Sequence, residues 1–243
     1  MSADPAYDII VIGAGHNGLV CASYLARAGL RVKVVERRCV VGGAAITEEF
    51  HPGFRNSVCS YVVSLLHPKV IADLALAEHG LEILDRPGGS FAPLPEGDFL
   101  SLPREDARAK AELARHSPHD AEVFEAFHEV LEQTARALRA LVLETPPNLG
   151  GGWRDLWRAL KSGNRLRRLP ARHQRGLAAL MTKSIGDYLD EWFECDGLKG
   201  LYGFEGVIGN MVSPYAPGSA YVLLHHYFGE VNGRVGAWGH ARG

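Results

Sequence analysis

Residues Tyr7–Ile12 read Y-D-I-I-V-I, a short run dense in β-branched side chains and bounded by glycine, the pattern of a fully buried strand. The run enters Gly13-Ala14-Gly15-His16-Asn17-Gly18, after which Leu19–Ala28 places small and apolar residues at helical spacing, with Gly29 where a helix ends. Leu30–Glu36 alternates Val32 and Val34 against Arg31 and Lys33, which predicts a second strand ending on Glu36. Farther on the pattern turns helical. His67–His79 carries proline in its first turn and Gly80 just past its end. Glu82–Asp85 and Ser90–Pro95 read as short strands with R-P-G-G as the turn between them. Ser117-Pro118 opens the strongest helix, with a serine cap, proline at the first position and Asp120 near the positive end of the dipole. Phe124, Phe127, Leu131, Ala135, Leu138 and Val142 then form one apolar stripe, which Thr145-Pro146-Pro147 ends. The simplest reading of that stripe is a core face; the other is a lining for an apolar substrate.

These elements predict an α/β fold: a Rossmann-like βαβ unit followed by a mainly helical subdomain. Only two clear strands stand in the first 36 residues, so the sheet is expected to be incomplete. The expected division is 1–85 for the nucleotide-binding segment, 86–230 for a helical substrate-side region, and 231–243 for the start of a truncated return segment.

The opening turn has separable physical requirements. Gly13 permits a tight exit from the strand, Gly15 lets backbone approach a pyrophosphate, and Gly18 lets the helix pack on the sheet. The first-turn amides and the helix dipole then favour phosphate, which brings Ala14, His16 and Asn17 into the candidate set. Glu36 stands at the end of the second strand, where a carboxylate accepts from ribose hydroxyls and repels a 2′-phosphate. The neighbouring Arg37 and Arg38 soften that repulsion. Gly42, Gly43 and Ala44 follow, either as a second stretch of backbone against the cofactor or as a plain loop.

Composition narrows the classes further. Across 243 residues, 26 Lys+Arg face 28 Asp+Glu, a net charge of −2 that gives no field for nucleic acid. With 47% apolar and 22% charged residues, the chain is too apolar for disorder. No apolar run reaches bilayer length, and the start M-S-A-D-P-A-Y-D lacks a secretory or transit pattern, so cytoplasm is the first expectation. Four cysteines, Cys21, Cys39, Cys59 and Cys195, form no C-x-x-C, and His225-His226 has no third ligand at metal spacing, so no metal is assigned. Within Gly150–Leu169, Trp153, Trp157 and Leu160 stand opposite Arg154, Arg158, Lys161, Arg165, Arg167 and Arg168. That segment is either a solvated helix or a basic amphipathic one on an anionic membrane.

The stretch from Asp8 to Ala45, with its E-R-x-x-x-x-G-G continuation, resembles the N-terminal FAD-binding signature of phytoene-desaturase-type flavoproteins. The resemblance extends to T-E-E-F-H-P-G-F at Thr47–Phe54, S-Y-V-V-S-L-L at Ser60–Leu66, S-P-Y-A-P-G-S-A-Y-V-L-L-H-H at Ser213–His226 and G-A-W-G at Gly236–Gly239. It implies an FAD-dependent oxidoreductase in which Gly13, Gly15, Gly18, Glu36, Arg38, Gly42 and Gly43 hold FAD. It also implies dehydrogenation or saturation of a carbon–carbon bond in an apolar small molecule. Relatives of this type continue through a G-G-M-G segment, so the chain is expected to be the N-terminal part of a longer protein. Mitochondrial relatives make a mitochondrial, membrane-associated location the alternative to cytoplasm. No nucleophile–base pair emerges, so no catalytic residue is named; a flavin carries such chemistry itself. Two other readings stand beside the enzyme. One is a non-catalytic FAD-binding fragment or interaction module, alone or with a protein partner or second copy. The other is an NAD(H)-dependent dehydrogenase, weakened by the lack of a catalytic Lys, Tyr or His motif.

Overall fold

The computed structural model describes residues 6–86, 89–103, 105–148 and 150–242. The chain runs β1 (Ile9–Ile12), α1 (His16–Arg27), β2 (Val32–Val35), β3 (Thr47–His51), β4 (Phe54–Ser57), α2 (Pro68–Asp73) and β5 (Ile83–Asp85). It continues through β6 (Ser90–Pro93), β7 (Phe99–Leu102), α3 (Asp106–His116), α4 (Pro118–Arg139), α5 (Trp153–Arg167), α6 (Ala171–Thr182), α7 (Ile185–Asp190) and α8 (Asp196–Gly206). Last come α9 (His225–Phe228), β8 (Glu230–Val231), β9 (Arg234–Val235) and β10 (Gly239–Ala241). Two compact units result. One comprises Met1–Arg86, Glu230–Arg234 and Trp238–Gly243, the other Pro87–Gly229 and Val235–Ala237.

In the first unit β1 and β2 pair in parallel, Ile9 opposite Val32 and Ile12 opposite Val35, joined through α1. Asp8 sets that register from outside. Its carboxylate accepts from the Arg31 amide at 2.8 Å and from the guanidinium at 2.8 and 3.1 Å. These bonds push its pKa down to about 2, so the clamp stays charged through ordinary acid conditions. The pattern Y-D-I-I-V-I predicts a strand buried on both faces, but the structure buries one. Ile9 and Val11 are half-buried, while Ile10 and Ile12 are 61% and 87% exposed. A two-stranded sheet has a single helix-covered face, and alternate side chains of β1 point to the other.

Two local expectations are corrected. The helix over His67–His79 shortens to α2, because none of its residues is buried and a helix this short depends on packing. His67 caps it through Nδ1, and Ala75, at φ +49°, diverts the chain. The strands Ile83–Asp85 and Ser90–Pro93 do not pair with each other across R-P-G-G, whose Pro87 and Gly88 lie outside the described residues. Instead β5 pairs antiparallel with β10, Asp85 opposite Gly239, and β6 pairs with β7. The stretch expected as a return segment thus supplies the partner of β5.

The second unit holds the large core. Helix α4 starts where its sequence says, with Ser117 Oγ accepting from the Asp120 amide at 3.1 Å. Phe124, Phe127, Leu131 and Ala135 are buried, which makes the stripe a core face; Val142 lies past the helix end and is exposed. Phe127 is the hub, with ring centroids 4.7 Å from Phe193, 5.2 Å from Tyr202 and 5.5 Å from Trp192. Leu180, Ile185, Leu189, Leu198, Leu223 and Leu224 pack into the same cluster.

Beside Phe127 sits a polar exception. His128 Nε2 lies 2.8 Å from Tyr202 Oη and Nδ1 lies 3.2 Å from Tyr227 Oη. A neutral imidazole has one donor and one acceptor nitrogen, so one tyrosine donates and the other accepts. Burial pushes the His128 pKa down to about 4. The unfolded chain therefore takes up a proton near the ordinary histidine value while the folded one resists, so stability is complete above about pH 6.5 and falls as pH drops towards 4. Allowing for partial exposure, the loss attributable to His128 is on the order of 2–3 kcal/mol. Urea unfolding of the wild type and His128→Gln at neutral and acid pH checks this: the variant should lose less stability on acidification. An equal loss in both would refute the assignment.

Candidate functional site

Two glycine turns meet beyond the end of β1. Gly13 takes φ +97° and donates its N–H to Val35 O at 2.8 Å, closing the strand pair as the chain leaves it. A side chain at Gly18 would place Cβ 2.2 Å from Gly13 O, so the helix can follow the turn only with glycine there. Gly15 is the N-cap of the 12-residue α1, which has no side-chain cap and no acid in its first turn. The orphan amides and the positive end of the dipole are thus left for an anion from outside the chain. His16 and Asn17 form that first turn, both exposed, and Ala14 is buried beneath it.

The second turn, Gly42-Gly43, packs on the first. Gly42 N–H donates to Ala14 O at 2.8 Å, and Gly15 and Gly42 form an isolated parallel bridge. A Cβ on Gly43 would come within 2.9 Å of Gly15 Cα, a backbone-to-backbone approach that only glycine allows. Ala44 is exposed in the 3₁₀ turn Gly43–Ala45.

Glu36 fastens these pieces. Its Oε2 accepts from the Ala14 amide at 2.8 Å and its Oε1 from the Arg38 amide at 2.9 Å. The Arg38 and Ala14 amides hold the carboxyl below its ordinary 4.5, with the Arg37 amide and charge adding to the effect. Two of about four acceptor positions are used in this way, which leaves capacity for ribose hydroxyls. Arg38 turns its guanidinium to Glu48 on β3, while Arg37 stays exposed. Glu48 is a residue that sequence reasoning passes over, because its partner is ten positions back and joined to it by no helix or strand periodicity. All twelve residues singled out for cofactor binding therefore lie in one connected set of turns. The bare helix start, the glycine-only approach and the part-used carboxylate fit the pyrophosphate and ribose of a dinucleotide.

Elsewhere the chemistry is sparse. All four thiols are free, Cys21, Cys39 and Cys59 exposed and Cys195 half-buried. The rings of His225 and His226 lie 3.9 Å apart, and no group of three metal-ligating residues occurs among the described residues. An open recess runs along Trp157, Leu160, Gly163 and Arg167, bounded by α5 alone.

Comparison with known proteins agrees with this geometry. The family profile described as NAD(P)-binding Rossmann-like domain matches residues 11–75. Pyridine nucleotide-disulfide oxidoreductase domain-containing protein 2 of Rattus norvegicus is 40% identical over 98% of this chain and 44% of its own length. One of the polypeptides of limonene dehydrogenase from Castellaniella defragrans is 42% identical over 51% of this chain and 23% of its own. Among solved structures, a triple mutant of putrescine oxidase matches with TM-score 0.53 and 19% identity, covering 90% of this chain and 41% of that one. The chain thus spans less than half the length of the curated relatives it matches. No described helix is long and apolar enough to cross a membrane.

Proposed function

We propose that the chain, 40% identical to pyridine nucleotide-disulfide oxidoreductase domain-containing protein 2 over 98% of its length, belongs with it among the phytoene-desaturase-type flavoproteins, binds FAD and serves a redox reaction on an apolar small molecule. The observation that carries this reading is the uncapped start of α1, walled by the Gly15–Gly43 approach and bounded by Glu36. The α1 amides of His16, Asn17 and Gly18 receive the pyrophosphate, and Glu36 receives the ribose. Glu36 also holds Ala14 in place, so the acid that reads the sugar shapes the loop that reads the phosphates. FAD, when bound, supplies the two-electron chemistry of its flavin ring. This chain's scattered thiols provide no close dithiol, and the reaction we favour is dehydrogenation or saturation of a carbon–carbon bond. The similarity to a dehydrogenase of limonene, an apolar hydrocarbon, supports that substrate class.

The exposure of Ile10 and Ile12 favours a second reading, an FAD-binding module that needs further polypeptide for catalysis. Reconstitution separates the two. The purified chain incubated with FAD and desalted should keep the visible flavin absorbance, and Glu36→Leu should lose it. Bleaching by an apolar alkene or alkane donor supports the enzyme; retained but inert flavin supports the module. A colourless wild type, or tight NADH binding without FAD, would overturn both.

A further inference from the structure

Helix α5 buries no residue, yet it carries a complete apolar stripe. Trp153, Leu156, Trp157 and Leu160 stand at spacings of three and four and are 70%, 62%, 65% and 56% exposed. Cations flank the stripe, most of them along one side: six of the residues from 153 to 168 are Lys or Arg, against the single acid Asp155. Arg158 pairs with Asp155, and Arg165 with Glu144 and the carbonyl of Ala140. Among the described residues no carboxylate pairs with Arg154, Lys161, Arg167 or Arg168.

We propose that α5 lies flat on an anionic lipid surface, with Trp153, Leu156, Trp157 and Leu160 entering the headgroup boundary and Arg154, Lys161, Arg167 and Arg168 meeting lipid phosphates and carboxylates. Charge selects this occupant. A second copy in a two-fold contact would set the cationic rim against itself, because such an interface meets the same patch on both sides. A lipid surface supplies apolar depth and negative charge together, and tryptophan suits the boundary because its ring is apolar with one polar edge. The inference stands apart from the cofactor, since α5 holds none of the glycine turns.

The full chain is sedimented with vesicles of phosphatidylcholine alone and of phosphatidylcholine with phosphatidylserine. It should pellet with the second and not the first, be released by added salt, and show blue-shifted tryptophan emission when bound. Arg154→Gln, Lys161→Gln and Arg168→Gln combined should weaken partitioning about fivefold per charge removed. Trp157→Ser with Leu160→Ser should abolish it, with circular dichroism unchanged because neither residue packs in the core. Equal binding to both vesicles, no binding to either, or variants that bind like wild type would overturn the proposal. So would a doubled mass in light scattering that Trp157→Ser returns to monomer, which would give the face to a second copy.

Discussion

Gly18→Ala is expected to leave the helical unit folded and to strip the protein of FAD. The added Cβ would lie 2.2 Å from Gly13 O and 3.3 Å from Gly13 C, both backbone atoms, and 3.5 Å from Val11 Cγ1. No rotamer relieves a clash with a carbonyl, so either α1 moves away from β1 or the Gly13 turn opens. Either shift carries the first-turn amides off the position where, on the proposed reading, they meet the pyrophosphate. Losing two charge-assisted bonds at ~1.5 kcal/mol each weakens affinity on the order of a hundredfold. Gly29→Ala is the matched control. Gly29 also has positive φ, +87°, but a Cβ there meets nothing within 4 Å. It should cost about 1–2 kcal/mol of stability through the left-handed backbone alone, with FAD retained. Bound flavin after desalting and unfolding midpoints are measured on both variants. If Gly18→Ala holds flavin as firmly as wild type, the glycine turn is packing and nothing more.

The contrast between these two glycines shows what was legible in the sequence. Within the first 45 residues, spacing places strand, turn, helix, strand and acid correctly, because every requirement there is local: a tight turn, a close approach, a helix end. Burial was less legible. Ile10 and Ile12 belong to a run that reads as buried on both sides, yet exposure depends on what covers the second face, which the run itself does not encode. Pairing was less legible still. β5 finds its partner in β10, near the other end of the chain, while β6 pairs with the next strand, and no local turn signal distinguishes these choices. At the site, Arg38 could be named from the motif, but its anchor Glu48 could not. The amphipathic α5 is the reverse case, since its stripe is plain in the sequence and only the structure reveals that the helical core does not use it.

Asp120 carries the largest expected loss of stability. In the sequence it is an acid in the first turn of α4, a favourable partner for the helix dipole worth at most about 1 kcal/mol at the surface. In the structure it is fully buried, and its carboxylate accepts from the amides of Glu194 at 2.8 Å and Cys195 at 2.9 Å. Ser117 completes the knot, receiving the Asp120 amide at 3.1 Å and donating to Glu194 Oε2 at 3.2 Å. One carboxylate therefore ties the start of α4 to the chain that enters α8. Asp120→Ala removes both acceptors and strands two amides away from water at about 1–3 kcal/mol each, so the expected loss is about 2–5 kcal/mol. Asp120→Asn keeps one acceptor oxygen and turns an NH₂ towards the other amide, which should place it between alanine and wild type. Ser117→Ala, which loses the cap alone, should cost about 1 kcal/mol. Urea unfolding of the three variants orders them: the knot predicts Asp120→Ala well below Asp120→Asn, with Ser117→Ala nearest wild type. If the three fall together near 1 kcal/mol, Asp120 serves only the dipole.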